Sequence, residues 1–133
     1  MIIVDASAFV ELLGGSARGG VVRELLVAER SAVPHLFDAE VLHRLVTLGK
    51  QGALRPDEVE QGIEELRTAP MERFDHRPRL LAAARLPAAL SGYDALYAIL
   101  AVEFDAALVT TDEAFARTAR EQLGIEVSDL GPT

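Results

Sequence analysis

The chain has 133 residues, half of them hydrophobic, and 21 acidic against 13 basic side chains give it a formal net charge of −8. That length predicts one domain over residues 1–133 with a sizeable core, and that hydrophobic content excludes disorder. The absence of cysteine excludes disulfides, thiolate zinc sites and cysteine nucleophiles together.

The predicted elements alternate along the chain. Ile2–Val4 reads as a short apolar strand, followed by an apolar helix over residues 6–13. Gly14-Gly15-Ser16 turns the chain into a helix over residues 17–29, and a second strand follows at 31–34. A long amphipathic helix is predicted over 35–51; Gly52 ends it, and Pro56 opens the next, which runs to about residue 69. A third strand is predicted at 70–74 and a helix at 79–85, before a helix over 91–104 that is apolar nearly all round. A fourth strand at 107–110, a helix over 112–123 and a fifth strand at 125–127 complete the pattern. Alternating βα units predict an α/β fold: a three-layer α/β/α sandwich around a mostly parallel sheet of about five strands. In such a sheet, ligands bind beyond the carboxyl ends of the strands.

Two of those ends carry acids. Ile2-Ile3-Val4 runs into Asp5, and Leu108-Val109-Thr110-Thr111 runs into Asp112. Taken singly, each reads as a helix N-cap. If the first and fourth strands are neighbours, both acids face one crevice. Asp94 is the only charge in its helix before Glu103. Ser91, three residues earlier, explains it as part of a capping box. A carboxylate on a buried helix nevertheless needs a proton, a hydrogen-bonded partner or a cation. In the long helix, the apolar stripe through Phe37, Val41, Leu45 and Leu48 places Asp38 near its centre and Glu40 on its edge. Periodicity thus nominates Asp38 and makes Glu40 one half of a solvated pair with Arg44. It leaves open which of the two acids faces a site.

The order of these pieces resembles the PIN-domain ribonucleases, and most closely the VapC toxins of bacterial toxin–antitoxin pairs. The matching segments are Val4-Asp5-Ala6-Ser7-Ala8, the helix start from Pro34-His35 to Glu40-Val41-Leu42, Leu90-Ser91-Gly92-Tyr93-Asp94-Ala95-Leu96-Tyr97, and Leu108-Val109-Thr110-Thr111-Asp112. The resemblance implies Asp5, Glu40, Asp94 and Asp112 as catalytic and metal-site acids, preferring Glu40 to Asp38. It implies Ser7 and Thr110 as small hydroxyl residues lining the site. Many relatives carry a further acid shortly after the last of these; here Ala114 and Ala116 flank Phe115, and only Glu113 is near. The function implied is that of an endoribonuclease toxin dependent on Mg²⁺ or Mn²⁺. The implied partners are RNA, a cognate antitoxin and a second copy of the chain in a homodimer. Hard divalent cations prefer carboxylate oxygens, and phosphodiester hydrolysis needs an activated water and a stabilised leaving oxygen. The alternative is a catalytically idle module that keeps the fold for assembly.

Other features carry less. The glycines around Ser16 lack the Lys-Ser/Thr ending of a phosphate loop, and His35, His43 and His76 have no metal-ligand spacing. A strand-end phosphoryl acceptor would need an acid where Ser7 stands and a strand-end lysine, whereas the sole lysine, Lys50, lies in mid-helix. Arg73, Arg77, Arg79 and Arg85 form a basic stretch that reads first as solvated surface and second as a guide for RNA phosphates. The apolar residues of the first two helices, including Phe9, Val10, Leu13 and Val21, complete the core or receive an antitoxin helix. No run approaches the roughly 18 apolar residues of a membrane span, and the N-terminus lacks signal-peptide features, so a cytoplasmic protein without membrane contact is expected.

Overall fold

A computed structural model describes all residues, Met1–Thr133. The elements are β1 (Ile2–Val4), α1 (Ala6–Leu13), α2 (Ala17–Ala28), β2 (Ser31–Pro34), α3 (Leu36–Lys50), α4 (Pro56–Thr68), β3 (Glu72–Phe74), α5 (Leu80–Ala84), α6 (Gly92–Phe104), β4 (Ala107–Val109) and α7 (Glu113–Leu123). A 3₁₀ turn at Arg77–Arg79 leads into α5, so the helix predicted over 79–85 begins at Leu80 and ends at Ala84, shorter than expected.

The sheet is entirely parallel, in the order β3-β2-β1-β4. The chain steps from β1 to β2 to β3 in one direction, then crosses back to β4. Right-handed crossovers therefore put α1–α4 on one face and α5–α7 on the other. Helix α6 packs on β1, β2 and β4, which is why its surface is apolar nearly all round. Strands β1 and β2 are buried along their whole length, as expected for central strands covered on both faces. Phe37, Tyr97, Leu45 and Leu100 are the bulkiest fully buried side chains beside the strands. No helix is long and apolar enough to cross a membrane.

The predicted fifth strand is a correction. Only Val127 bridges to Leu108, held by Leu108 N–H to the Glu126 carbonyl at 2.8 Å and Ser128 N–H to the Leu108 carbonyl at 2.9 Å. Gly124, in the left-handed region at φ 63°, ends α7, and of the residues after it only Val127 takes up strand pairing. The sheet therefore has four strands and a one-residue extension. The third strand also shortens, from the predicted 70–74 to Glu72–Phe74.

Two side chains fix α3, neither by a local rule. Its first amide, on Leu36, donates to His76 Nε2 at 2.8 Å, so a residue from the far side of β3 takes the place of a neighbouring cap. Asp38 accepts a two-pronged bond from Arg73, 2.7 Å from Nε and 2.9 Å from Nη2. The same guanidinium donates to the carbonyls of Leu66, Ala69 and Met71, closing the C-terminal end of α4. Asp38 thus ties α3 to α4.

The apolar residues of α1 and α2 largely complete the core. Phe9, Leu12 and Val22 are buried, and Val10, Leu13, Val21, Leu25 and Leu26 pack partly buried against them. The two helices meet closely at Gly19, where an added Cβ would lie 2.9 Å from the Leu12 Cα and closer still to the Glu11 carbonyl oxygen. At Gly20 it would meet nothing. Replacing a helical glycine by alanine gains about 1 kcal/mol of helix propensity. Gly20→Ala is therefore expected to be neutral or to stabilise by up to about 1 kcal/mol, and Gly19→Ala to destabilise by about 1–3 kcal/mol through overpacking. Urea denaturation of the two variants compares them, and equal midpoints would contradict the close approach.

Candidate active site

Asp5 stands where β1 ends and α1 begins. Its backbone satisfies the N-cap role, with the carbonyl accepting from Ala8 and Phe9, but its side chain caps nothing. Instead Oδ2 accepts from Thr110 Oγ1 at 2.7 Å and from Ser7 Oγ at 2.8 Å. Each hydroxyl in turn accepts a backbone amide from the end of β4, Thr110 from Asp112 at 3.1 Å and Ser7 from Thr111 at 3.1 Å. The two hydroxyls are therefore oriented from behind, with their protons on Asp5. The β1–β4 pairing, Val4 opposite Val109, brings these residues together.

Asp112 does act as a cap, accepting from the Phe115 amide at 3.1 Å through Oδ1. Glu40 accepts from Tyr97 Oη at 2.7 Å and forms no ion pair with Arg44. Asp94 lies in the first turn of α6, whose start is capped by Ser91 Oγ accepting from the Asp94 amide at 3.0 Å. Asp5, Glu40, Asp94 and Asp112, with Ser7, line one open cleft of about 680 Å³ at the carboxyl end of the sheet. Thr110 supports Asp5 from the buried side. Asp38 lies outside the cleft at Arg73, so the acid nominated by periodicity is not the one facing it. Glu113 also lies outside, in a smaller adjoining pocket.

Tyr97 lies behind the cleft, fully buried, where its hydroxyl needs a partner; that polar tip, one turn beyond Asp94, is the sequence signal that points to Glu40. Arg44 and His43 line the cleft from α3, and Tyr93 from α6.

The acids feel one another. Burial pushes the Asp5 carboxyl up, against the opposing hydrogen bonds, and Asp112 adds repulsion. Burial also pushes Glu40 up, opposed by the Tyr97 hydrogen bond and reinforced by Asp5. Asp94 rises to about 6, through burial first and then the charges of Asp5, Asp112 and Glu40. Burial and the Glu40 carboxylate push the Tyr97 phenol up, so it stays a donor. No base is ion-paired with any of the four. An uncompensated carboxylate set is right in kind for a hard divalent cation. Its geometry is open: no three acidic or histidine side chains are gathered into a metal-binding group.

Residues 2–121 match the family model described as PIN domain. The chain is 39% identical over 117 residues to Ribonuclease VapC3 of Mycobacterium tuberculosis, covering 87% of this chain and 85% of that one. It is 34% identical over 127 residues to Ribonuclease VapC9 of the same organism, covering 96% and 98%. The fold resembles the crystal structure of PAE2754 from Pyrobaculum aerophilum, with a TM-score of 0.67 at 24% identity over 87% of this chain and 77% of that one.

The raised carboxyl of Asp94 gives a signed expectation. With a folded value of about 6 against 3.8, its contribution to stability is complete below the unfolded value and is lost as pH rises through about 6. Asp5 and Glu40 shift in the same direction. Metal-free protein should thus lose stability between about pH 4 and about pH 7, and Asp94→Asn should remove part of that loss. Because Asp94 is only half-buried, the difference is on the order of 1 kcal/mol after solvent screening. Denaturation in EDTA at both pH values measures it, and equal pH dependence in variant and wild type would contradict the coupling.

Proposed function

The chain belongs to the PIN-domain family and is a homologue of the VapC ribonucleases, and from that premise we propose that it is a divalent-metal-dependent endoribonuclease. The observation that carries the proposal is the convergence of Asp5, Glu40, Asp94 and Asp112 on one cleft. They come from β1, α3, α6 and the end of β4, with their charges unneutralised. These four side chains would hold Mg²⁺ or Mn²⁺. When bound, such an ion supplies Lewis acidity towards a phosphoryl oxygen and lowers the pKa of water.

The remaining work is done by the chain itself. Ser7 and Thr110 fix one oxygen of Asp5, and Tyr97 fixes one oxygen of Glu40. Asp112 is held by the first turn of α7 through Oδ1, which leaves Oδ2 uncommitted. Asp94, with its carboxyl at about 6, exchanges a proton near neutral pH before any cation enters. An RNA phosphodiester entering the cleft meets three acids that each have one oxygen held by a neutral donor, so less side-chain entropy is lost in gathering them onto a cation. The proposal extends to the partners the resemblance implies: a toxin role, a homodimer, and an antitoxin whose basic side chain competes for the acids.

Incubation with total RNA tests this. Cleavage is expected with Mg²⁺ or Mn²⁺ and not in EDTA, and to fall at least about 100-fold in Asp5→Asn and in Asp94→Asn, both still folded. Products are expected to carry 5′-phosphate and 3′-hydroxyl ends, because no 2′-hydroxyl attack is used. Full activity of Asp94→Asn or 2′,3′-cyclic phosphate ends would refute the mechanism. A folded wild type that binds metal but cuts no RNA would favour the idle assembly module.

A further inference from the structure

A cleft of four carboxylates in a chain of net charge −8 repels a polyanion, so the location of its free positive charge matters. The basic stretch does not supply it. Arg73 is held by Asp38, Arg77 by Asp75 and Arg79 by Glu103, and Arg79 also lies 5.2 Å over the Phe74 ring. Seven arginines in all take part in ion pairs, which leaves six of the 13 basic side chains unpaired. Three of those six converge on the acidic site from distant parts of the sequence. Arg44 lines the cleft itself. Arg18 and Arg120 line a pocket of about 110 Å³ that shares Thr111 and Asp112 with the cleft.

Arg18 makes the second pocket unusual. Its Nε is buried and has no hydrogen-bond partner, a rare condition for an interior N–H. The pocket's three acids do not satisfy it: Asp112 accepts from the Phe115 amide, Asp129 from the Gly131 amide at 2.8 Å, and neither of these nor Glu113 pairs with Arg18 or Arg120. Two guanidinium groups are thus presented without a carboxylate partner. Their fork of donors matches a phosphate.

We propose that Arg18 and Arg120 in the adjoining pocket, and Arg44 in the cleft itself, bind the phosphates of a single-stranded RNA flanking the one held at the carboxylates. The inference rests on the ribonuclease reading for its choice of ligand. It offsets the repulsion of the cleft with cations placed beside it, so that the strand is drawn across the acids.

The test is fluorescence anisotropy with a fluorescein-labelled single-stranded RNA of about a dozen nucleotides. All variants are made in the Asp94→Asn background, in Mg²⁺, to prevent cutting. Arg18→Gln, Arg120→Gln and Arg44→Gln are each expected to weaken binding about five- to tenfold near 0.1 M salt, and to lower the salt slope by about 0.7. Arg85→Gln and Arg117→Gln, also unpaired but outside both pockets, should change it by less than about twofold. Equal losses in all five variants, or none in the first three, would overturn the proposal. Unchanged RNA affinity with an altered oligomeric state on gel filtration would assign the arginines to a protein contact instead, and would overturn it too. The two readings fail separately. Selective binding losses together with a wild type that cuts no RNA would sink the ribonuclease assignment alone; metal-dependent cutting with unimpaired binding would sink this one alone.

Discussion

Asp5 is the one carboxylate in the core, 7% exposed at the tip of a buried strand, and the rest of the site is arranged around the cost of keeping it there. Ser7 and Thr110 meet that cost with two hydroxyl bonds, and both hydroxyls are oriented by amides at the end of β4. One small network therefore locks the first turn of α1 to the last residues of a strand about a hundred positions away. The same contact sets where Asp112 begins α7. Across the cleft, Tyr97 performs the corresponding service for Glu40, reaching from α6 on one face of the sheet to α3 on the other. Neutral donors hold the acids, and no base cancels them.

Much of this was legible in the sequence, because it was written in local signals. Apolar runs of strand length alternating with helical stripes gave the α/β layers, and strand ends gave Asp5 and Asp112. What periodicity could not reach was the identity of distant partners. It placed Asp38 near the centre of the apolar stripe of α3, but the side chain is 41% exposed and is spent on an ion pair with Arg73, 35 residues away. Glu40, on the edge of the stripe, was expected beside Arg44 and instead meets Tyr97 from another helix. The resemblance to a family chose Glu40 where the helical wheel chose Asp38. The capping rule succeeded for Asp112 and Ser91 and failed for Asp5, whose side chain turns away from the helix it precedes. His76 capping α3 across β3 had no local signature at all. The fifth strand failed for a different reason: a short apolar run can supply a bridge without supplying a ladder.

The arginines find both near and distant partners. Within the basic stretch Arg73, Arg77 and Arg79 are paired with acids, Arg77 with Asp75 two residues earlier, and Arg85 is not. Of the arginines elsewhere, Arg23 on α2 pairs with Glu65, whereas Arg18, Arg44 and Arg120 form no ion pair. Which arginines find an acid depends on where the fold sets each side chain, and so it shows only in three dimensions.

The placement of β1 between β2 and β4 has a consequence for how the cleft comes into being. Thr110, which bonds Asp5, lies 105 residues further along the chain, beside Asp112 and just after β4. Pairing β1 with β4 closes the longest loop in the sheet, and contacts of such high sequence separation are slow to form. Until that pairing is made, Asp5 lacks its Thr110 partner and Asp112 is not beside it. The cleft is therefore assembled by a slow, long-range contact of the fold.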